Sequence, residues 1–314
     1  MKILVTDGIE KEALAKLQSA HQVDSIEMSP DDLLKNVEKY DALIVRGRTK
    51  VTAQVIEKGT KLKVVGRAGV GVDNVDVAAA SKRKIAVVNA PTGSTVSVAE
   101  LALGHMISLA RKLPAADRSI KDGKWEKKAF MGTELNGKTL GLLGSGRIGT
   151  EVAKRAQAFG MRAIAYDPYL PPAIAKENNI ALVDKDTLFK TADFLSIHTA
   201  LTPETKGMVG AKEFSAMKKS AFLINCARGE VVQEKALADA LKAGTIAGAG
   251  LDVFEKEPPA GSPLLGIPSI YMTPHIGAST HEAQYRAGMI IAEQVDKALK
   301  GSKPEYIVNK EIYG

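Results

Sequence analysis

The sequence has almost no cysteine and no long apolar segment. Its one cysteine, Cys226, excludes an intramolecular disulfide framework. No apolar run approaches the roughly 18 residues that a transmembrane helix needs. The residues after Met1 continue directly into a strand-like pattern instead of a secretory signal. We therefore expect a soluble, cytoplasmic protein that does not bind membranes.

The sequence also has little excess charge of either sign. Lys and Arg number 43 and Asp and Glu number 36, so the net charge is +7. The densest basic cluster, residues 121–128, contains interleaved acidic residues and no repeat. This composition is typical of a solvated loop, or of a rim that steers a small anion, rather than of a DNA-binding face. We expect no nucleic-acid partner.

A glycine-rich motif follows a short apolar run in the middle of the chain. Residues 138–143 read Lys-Thr-Leu-Gly-Leu-Leu, and residues 144–149 read Gly-Ser-Gly-Arg-Ile-Gly. The spacing Gly-x-Gly-x-x-Gly between a strand and a helix predicts the phosphate-binding turn of a dinucleotide-binding βαβ unit. Gly144 permits the sharp turn, Gly146 lets a diphosphate approach the backbone, and Gly149 lets the helix pack on the strand. The helix N-terminus then attracts the diphosphate through its free N–H groups and its dipole.

An acidic residue after the next predicted strand favours NAD over NADP. The run from Arg162 to Tyr166 ends at Asp167, which lies 18 residues beyond Gly149 and near the usual spacing of about 20. A carboxylate at this point accepts hydrogen bonds from the adenosine ribose and repels a 2′-phosphate. The alternative is that Asp167 and Pro168 only terminate a strand. We expect NAD as the cofactor and no metal ion.

Short apolar runs alternate with amphipathic stretches in both halves of the chain. With 314 residues, 45% of them apolar, the chain is long enough for two domains of about 150 residues each. The runs are typical of buried parallel strands. Before the glycine motif they are Ile3–Val5, Ala42–Val45, Val64–Val65 and Ile85–Val88. From the motif onward they are Leu140–Leu143, Arg162–Tyr166, Phe194–His198, Phe222–Cys226, Ala249–Val253 and Ile270–Met272. This pattern predicts an α/β protein with two doubly wound parallel sheets, a Rossmann NAD-binding domain and a smaller flavodoxin-like domain, with a cleft between them.

A final helical stretch, from about Thr280 to Leu299, follows the last predicted strand. Since the second sheet is then complete, we expect this helix to return to the first domain. The predicted substrate-binding domain is therefore discontinuous and consists of residues 1–94 and 280–314. Residues 95–279 form the predicted NAD-binding domain, and two backbone crossings would form the hinge of the cleft.

One predicted helix is apolar on more than one face. Ser97-Val98-Ala99-Glu100 reads as a capping box that opens a helix over residues 98–112, ending near Pro114. Such a helix must be covered from several sides, by the other domain or by a second subunit. We expect it to link the two domains and to form part of a homodimer.

Two segments of the first domain carry arginines just after predicted strands. The first is Arg46-Gly47-Arg48, and the second begins Arg67-Ala68-Gly69-Val70-Gly71. Ligands of open α/β sheets bind outside the carboxyl ends of the strands, so these segments predict an anion site. The alternative is that the glycines only shape turns and the arginines are solvated. The candidate substrate-binding residues are Arg46, Arg48, Arg67, Gly69, Val70 and Gly71.

Three further strand ends carry side chains suited to hydride transfer with a 2-hydroxy acid. They contain Arg228 in Asn-Cys-Ala-Arg-Gly, Glu257 in Asp-Val-Phe-Glu-Lys-Glu-Pro, and His275 in Thr-Pro-His-Ile-Gly. His275 would take the hydroxyl proton, Glu257 would stabilise the protonated imidazole, and Arg228 would hold the carboxylate and polarise the carbonyl. Each residue alone also fits a structural role, as a turn histidine, a loop acid or a surface ion pair. Their common position downstream of the dinucleotide motif favours catalysis.

The ordered set of motifs resembles the D-2-hydroxyacid dehydrogenase family across the whole chain. The set consists of the glycine motif with Asp167, then Asn-x-Ala-Arg-Gly, Asp-Val-Phe-x-x-Glu-Pro and Thr-Pro-His-Ile-Gly. The resemblance implies catalytic roles for the three strand-end residues and anion-binding roles for the three arginines of the first domain. It also implies that the NAD site includes Arg147, Ile148, Thr199, Cys226, Asp252 and Gly277.

Within the family, the resemblance is strongest to members that oxidise 3-phosphoglycerate in serine biosynthesis. It rests on residues 65–76, 121–125, 130–135 and 277–280. It implies oxidation of a phosphorylated 2-hydroxy acid by NAD, without the C-terminal regulatory domain that many such members carry. The alternatives are a glyoxylate or hydroxypyruvate reductase with the same catalytic residues, and an NAD-sensing binding protein similar to the corepressors of the family.

Overall fold

The computed structural model describes residues 1–313, which form two compact units. Unit 1 comprises Met1–Thr95 and Ala278–Gly314, and unit 2 comprises Val96–Gly277. The chain therefore leaves unit 1 once and returns to it with its C-terminal part. Within the described range, no helix is both long enough and apolar enough to cross a membrane.

Unit 1 contains a parallel sheet of five strands flanked by helices. The strands are β1 Lys2–Val5, β2 Gln22–Ser25, β3 Ala42–Val45, β4 Val64–Arg67 and β5 Ala86–Asn89. The helices that connect them are α1 Lys11–Gln18, α2 Pro30–Asn36, α3 Ala53–Lys58 and α4 Val77–Lys82, with a 3-10 turn at Val37–Lys39. The strand order is β2-β1-β3-β4-β5, which is the predicted flavodoxin-like order. The sequence pattern does not predict β2, because this edge strand is short, polar and partly exposed.

Unit 2 contains a parallel sheet of seven strands. They are β6 Thr139–Leu143, β7 Arg162–Tyr166, β8 Ile180–Leu182, β9 Phe194–Ile197, β10 Phe222–Asn225, β11 Gly248–Leu251 and β12 Ile270–Met272. The helices of this unit are α5 Thr95–Arg111, α6 Leu113–Lys121, α7 Arg147–Ala158, α8 Pro172–Glu177, α9 Lys185–Thr191, α10 Ala211–Ala216 and α11 Glu234–Lys242, with 3-10 turns at Lys127–Phe130 and Gly229–Val231. The order β12-β11-β10-β9-β6-β7-β8 is the predicted Rossmann order with a seventh strand. The pattern does not predict β8, a three-residue edge strand with two exposed positions.

The predicted capping box at Ser97 is wrong. Helix α5 begins at Thr95, so Ser97 lies within its first turn and is buried. Pro91 and Gly93, which interrupt helical structure, stand just before Thr95. The helix can therefore begin earlier than a capping box at Ser97 would place its start. The helix ends at Arg111, where Lys112 has a φ of +53°, and Pro114 lies near the start of α6.

The last long helix, α12 (His281–Leu299), belongs to unit 1. The hydroxyl of Thr280 accepts a hydrogen bond from the Ala283 N–H at 3.1 Å and so caps the helix. A Cβ on Gly66 of β4 would lie only 2.7 Å from the side chain of Val295, so this glycine lets α12 approach the sheet closely. A 3-10 turn at Lys310–Tyr313 ends the described chain.

Candidate active site

The glycine motif joins β6 to α7 by a tight turn. Gly144 has a φ of +85°, and a Cβ there would lie 3.0 Å from the backbone nitrogen of Thr199. A Cβ on Gly149 would lie 2.6 Å from the carbonyl oxygen of Gly144, so packing against the turn requires glycine at both positions. Gly146 directly precedes α7, and a Cβ there would meet no protein atom within 4 Å. The space beside Gly146 is open to a ligand, and the turn fits the diphosphate of NAD.

The carboxylate of Asp167 lies beside this turn. Its Oδ2 accepts a hydrogen bond from the Ser145 N–H at 2.8 Å, and its Oδ1 accepts one from the Tyr169 N–H at 2.9 Å. Each carboxylate oxygen has a further lone pair with which it can accept a hydroxyl hydrogen. The bond to Ser145 connects Asp167 to the glycine motif, so the residue does more than terminate β7. Its position fits an adenosine ribose.

The other predicted cofactor residues follow neighbouring strands. Strands β6, β9, β10, β11 and β12 are parallel, so their carboxyl ends lie at one edge of the sheet. At this edge lie Arg147 and Ile148 at the start of α7, Thr199 after β9, Cys226 after β10, Asp252 after β11 and Gly277 after β12. Burial, and then the charge of Asp252, raise the pKa of the Cys226 thiol. Cys226 therefore remains an uncharged thiol and is not a nucleophile.

His275 and Glu257 form the central pair of the candidate site. His275 Nδ1 lies 2.7 Å from Glu257 Oε2, and about half of the histidine side chain is exposed. The other carboxylate oxygen of Glu257 accepts the Phe254 N–H at 3.2 Å. Because an ionised carboxylate only accepts hydrogen bonds, the hydrogen resides on Nδ1 of His275. The lone pair of Nε2 can therefore accept a proton.

The surroundings shift the pKa values of both members of this pair. The hydrogen bond with Glu257 raises the pKa of His275, with the charges of Glu257 and Asp252 acting in the same direction. Burial and the charge of Arg228 oppose this increase without cancelling it. Burial alone would raise the pKa of Glu257. Its hydrogen bond and charge interaction with His275 are the largest of the effects that lower this pKa, and together these effects outweigh burial. The site thus combines an ionised acid with a histidine that exchanges protons near neutral pH.

Arg228 follows β10 and is held close to this pair. Asn225, which is buried at the end of β10, donates from Nδ2 to the carbonyl of Arg228 at 2.9 Å. A Cβ on Gly229 would overlap the backbone of Phe254, so the arginine segment packs directly against the segment that leads to Glu257. The charge of Arg228 acts on both members of the pair. The structure therefore brings all three predicted catalytic residues together.

The buried carboxylate of Asp252 organises the loop that carries His275. Its Oδ1 accepts the Thr273 hydroxyl at 2.6 Å and the Ile276 N–H at 2.8 Å, and its Oδ2 accepts the Gly277 N–H at 2.8 Å. His275 has a φ of +53°, which is uncommon for a residue with a side chain. Hydrogen bonds on both sides of His275 therefore hold a backbone conformation that the residue would not prefer on its own.

The three arginines of the predicted anion site lie in unit 1, where Arg67 ends β4 and the others follow β3. Asp7 organises the loop after β3. Its carboxylate accepts the Arg46 N–H at 2.7 Å, the Thr49 hydroxyl at 2.5 Å and the Arg48 Nε–H at 3.3 Å. Burial alone would raise the pKa of Asp7, but these hydrogen bonds together lower it. The ionised carboxylate fixes the backbone from which both arginines extend.

Both arginine side chains in this loop also contact acidic residues. Arg46 Nη1 lies 3.7 Å from Glu10 Oε1, and Arg48 Nη1 lies 3.0 Å from Glu27 Oε2. The arginines are therefore paired rather than simply solvated. An anionic ligand would have to displace these carboxylates, because both would form charge-assisted contacts with the same guanidinium groups.

The loop after β4 contains the remaining candidate residues. A Cβ on Gly69 would overlap the guanidinium of Arg67, so this glycine makes room for the arginine side chain. The carbonyl of Val70 accepts a hydrogen bond from Asn89 Nδ2 at 2.6 Å, and Gly71 follows directly. The side chain at position 67 and the turn that follows it are thus defined by local packing.

Several polar residues that hold the site in place are not among the residues predicted from the sequence. Asp7, Asn225 and Thr273 each bind a segment that carries a candidate functional residue. All three are short polar residues at or just after the end of a buried parallel strand. Such residues readily bond to nearby backbone, and this position is the signal that could have identified them.

Comparison with known proteins assigns the chain to a family. The chain matches the family described as D-isomer specific 2-hydroxyacid dehydrogenase, NAD binding domain, over residues 103–277. It is 51% identical over 311 residues to the D-3-phosphoglycerate dehydrogenase of Methanocaldococcus jannaschii, and 48% identical over 312 residues to that of Archaeoglobus fulgidus. Each alignment covers 98% of this chain and 59% of the relative, so the chain spans about three-fifths of the length of these relatives.

A solved structure resembles the whole chain. The structure of a glyoxylate reductase from Paecilomyes thermophila superposes with a TM-score of 0.91 at 31% identity, and the match covers 99% of both chains. Both the sequence and the structural similarities therefore extend well beyond the glycine motif. The chain belongs to the D-isomer specific 2-hydroxyacid dehydrogenase family, and its unit 2 contains the NAD-binding domain of that family.

Proposed function

We propose that the chain catalyses the NAD-dependent oxidation of 3-phosphoglycerate to 3-phosphohydroxypyruvate, the first step of serine biosynthesis. The observation that carries the proposal is the 2.7 Å contact between His275 Nδ1 and Glu257 Oε2, after two strands of the sheet that also carries the glycine motif. Two relatives that are about half identical to the chain are named D-3-phosphoglycerate dehydrogenase, which supports the choice of substrate.

In this mechanism His275 acts as the general base. NAD, when bound, supplies the acceptor for the hydride that leaves C2 of the substrate. His275 Nε2 takes the proton of the C2 hydroxyl while Nδ1–H stays bonded to Glu257. The ionised Glu257 stabilises the positive charge that develops on the imidazole, so the contact strengthens as the reaction proceeds. In the reverse direction the imidazolium returns the proton to the oxygen.

Arginines are the candidate partners for the two anionic groups of the substrate. Arg228 stands beside the catalytic pair, and its planar guanidinium can bind the substrate carboxylate through two parallel hydrogen bonds. Arg46, Arg48 and Arg67 are then the candidates for the phosphate. The acidic partners of Arg46 and Arg48 hold these two side chains and would exchange with the phosphate when it binds.

A glyoxylate or hydroxypyruvate reductase is the second candidate, because a glyoxylate reductase structure matches the whole chain. The two functions differ in whether a phosphate contributes to substrate binding. We would measure kcat/KM with NADH for phosphohydroxypyruvate, hydroxypyruvate and glyoxylate. One charge-assisted contact of about 1.5 kcal/mol gives a preference of roughly tenfold or more for phosphohydroxypyruvate. Equal or higher efficiency with either unphosphorylated acid would overturn the substrate assignment.

A further inference from the structure

We infer that His105, on α5, is a positioning residue for His275 and acts through Thr273 and Asp252. The inference rests on the proposed function, because that function makes His275 the general base. His105 lies 170 residues before His275 and belongs to none of the sequence motifs.

A chain of three hydrogen-bonded side chains connects α5 to the histidine loop. Thr273 Oγ1 lies 3.2 Å from His105 Nε2 and 2.6 Å from Asp252 Oδ1. The threonine hydroxyl has one hydrogen, which it donates to the carboxylate, so it must accept a hydrogen bond from Nε2–H of His105. His105 and Asp252 are 5% and 1% exposed, so water does not compete for these bonds.

His105 serves as an uncharged donor in this chain. Burial lowers the pKa of His105, and the charge of Asp252 opposes the decrease only in part. The imidazole is therefore neutral at physiological pH. It supports the hydrogen bond from Thr273 without neutralising Asp252, whose charge acts on His275 together with the charges of Glu257 and Arg228.

The neighbouring strand leaves space for the imidazole of His105. A Cβ on Gly250 in β11 would lie 2.8 Å from Cβ of His105 and 2.9 Å from its Cγ and Nδ1. Position 250 must therefore be glycine for the ring to lie where it does. Asp252 stands two residues further along the chain, so β11 positions both ends of the hydrogen-bonded chain.

Asp252 in turn constrains the backbone on either side of His275 through its hydrogen bonds. The same carboxylate accepts the N–H groups of Ile276 and Gly277 and thereby holds the loop that keeps His275 at a φ of +53°. Such a conformation persists only where the surroundings determine it. When the N–H of His105 is removed, the Thr273 hydroxyl loses the donor that orients it toward Asp252, and the loop carrying His275 becomes less constrained.

The test compares His105→Leu, which removes the donor, with His105→Gln, whose amide N–H reaches about the position of Nε2. Met106→Leu is the matched control, because Met106 is a buried neighbour on α5 outside the chain of hydrogen bonds. We would measure kcat and KM with 3-phosphoglycerate and NAD, and follow the imidazole resonances of His275 by NMR as a function of pH. The protein has 5 histidines, so a His275→Asn spectrum assigns the resonance.

We expect His105→Leu to lower kcat about 5- to 10-fold, the effect of one neutral hydrogen bond, with KM for 3-phosphoglycerate within about twofold. The His275 titration should move to lower pH as its contact with Glu257 loosens. His105→Gln should restore both kcat and the titration midpoint.

A His105→Leu variant with unchanged kcat and titration would overturn the inference. So would a loss of kcat that Met106→Leu shares or that leaves the titration unmoved. If the wild-type protein oxidises no 2-hydroxy acid but the titration still shifts, the proposed function fails and the positioning role stands.

Discussion

His275 and Glu257 show how a pair of titratable groups acquires separate roles from its surroundings. The histidine is pushed toward its charged form by the carboxylate, and the carboxylate is kept ionised by the histidine. The sequence predicts the pairing because both residues follow strands at one edge of a parallel sheet. The sequence could not predict the left-handed backbone of His275, because that conformation depends on the Asp252 hydrogen bonds from a different strand.

Glu257→Gln should lower the pKa of His275, since it removes the charge and the acceptor that raise it. Oxidation requires neutral His275, so the wild-type rate should rise with pH through a midpoint above the ordinary value of 6.5. In the variant we expect this midpoint at lower pH and a rate reduced by roughly 10²-fold. The measurement is kcat/KM for 3-phosphoglycerate from about pH 5 to 9, a range on both sides of the ordinary histidine pKa. Glu177→Gln, an exposed carboxylate of α8, is the control, and an unmoved midpoint in Glu257→Gln would contradict the pairing.

We expect Asp167 to determine the preference of the protein for NAD over NADP. Its carboxylate would lie close to a 2′-phosphate, so NADP should bind far more weakly than NAD. Asp167→Ser removes the negative charge and should narrow the ratio of kcat/KM values for the two cofactors by at least about tenfold, or roughly 1.4 kcal/mol. Equal efficiency with both cofactors in the unmodified protein would exclude this role.

Among the secondary-structure elements, the apolar pattern identifies most strands but misses β2 and β8, which each have two exposed residues. The central strand β3 reads Ala-Leu-Ile-Val and is buried throughout, because parallel strands are covered on both faces. Strand β2 reads Gln-Val-Asp-Ser and is largely polar, whereas β8 is apolar but only three residues long. The sequence pattern predicts helix α5 but places its start too late, because the Ser-x-x-Glu pattern lies within the helix instead of before it.

Gly146 and Gly149 in the turn between β6 and α7 should respond differently to alanine. Gly149→Ala forces a Cβ against the Gly144 carbonyl, and overpacking of this kind costs about 1–3 kcal/mol and lowers Tm by several degrees. Gly146→Ala meets no protein atom, so Tm should fall by no more than about 2 °C through the capping preference. NAD affinity, measured by calorimetry, should nevertheless fall at least about tenfold in Gly146→Ala, because its methyl group occupies the space of the diphosphate. Unchanged NAD affinity in this variant would show that the diphosphate lies elsewhere.

Across the whole molecule, the sequence predicts which residues follow the strands of a sheet. It does not predict which distant residues contact them. Arg228, Glu257 and His275 could be predicted because each stands in a recognisable motif after a strand. The contact of Arg48 with Asp7 joins residues 41 positions apart and depends on β1 and β3 being neighbours in the sheet. Only the folded sheet shows that acidic residues already pair with Arg46 and Arg48 of the predicted anion site.

We propose that the protein is a homodimer. Much of α5 is buried within unit 2, so the exposed apolar residues of the following segment are the stronger basis for this proposal. Leu113, Ile120, Trp125 and Met131 are between 48% and 83% exposed. A concentration of apolar surface in one segment is typical of a protein–protein interface. Sedimentation should give twice the chain mass of 33.4 kDa, and Met131→Glu should shift the protein toward the monomer. A fully active wild-type monomer at micromolar concentration would contradict the dimer.

The three arginines of unit 1 should distinguish phosphorylated from unphosphorylated substrates. Loss of one charge-assisted contact of about 1.5–3 kcal/mol lowers specificity roughly 10- to 150-fold. We expect this decrease in kcat/KM for phosphohydroxypyruvate, but a much smaller one for hydroxypyruvate, in at least one of Arg46→Ala, Arg48→Ala and Arg67→Ala. Lys50→Ala, an exposed cation close to the first two, is the control and should change neither value. An equal decrease for both substrates in all three variants would assign the arginines to the carboxylate or to the fold.

We propose that the chain oxidises 3-phosphoglycerate with NAD and that His275 is the base. The most direct measurement is the rate of NADH formation from 3-phosphoglycerate, with hydrazine present to trap the keto product, for the wild type and for His275→Ala. We expect steady NADH formation by the wild type and a rate about 10²- to 10⁴-fold lower in the variant, the usual size of a general acid–base contribution. NAD binding, measured in parallel, should be nearly equal in both proteins. A wild type that formed no NADH above background, or a His275→Ala variant that kept most of the activity at pH 7, would exclude this function.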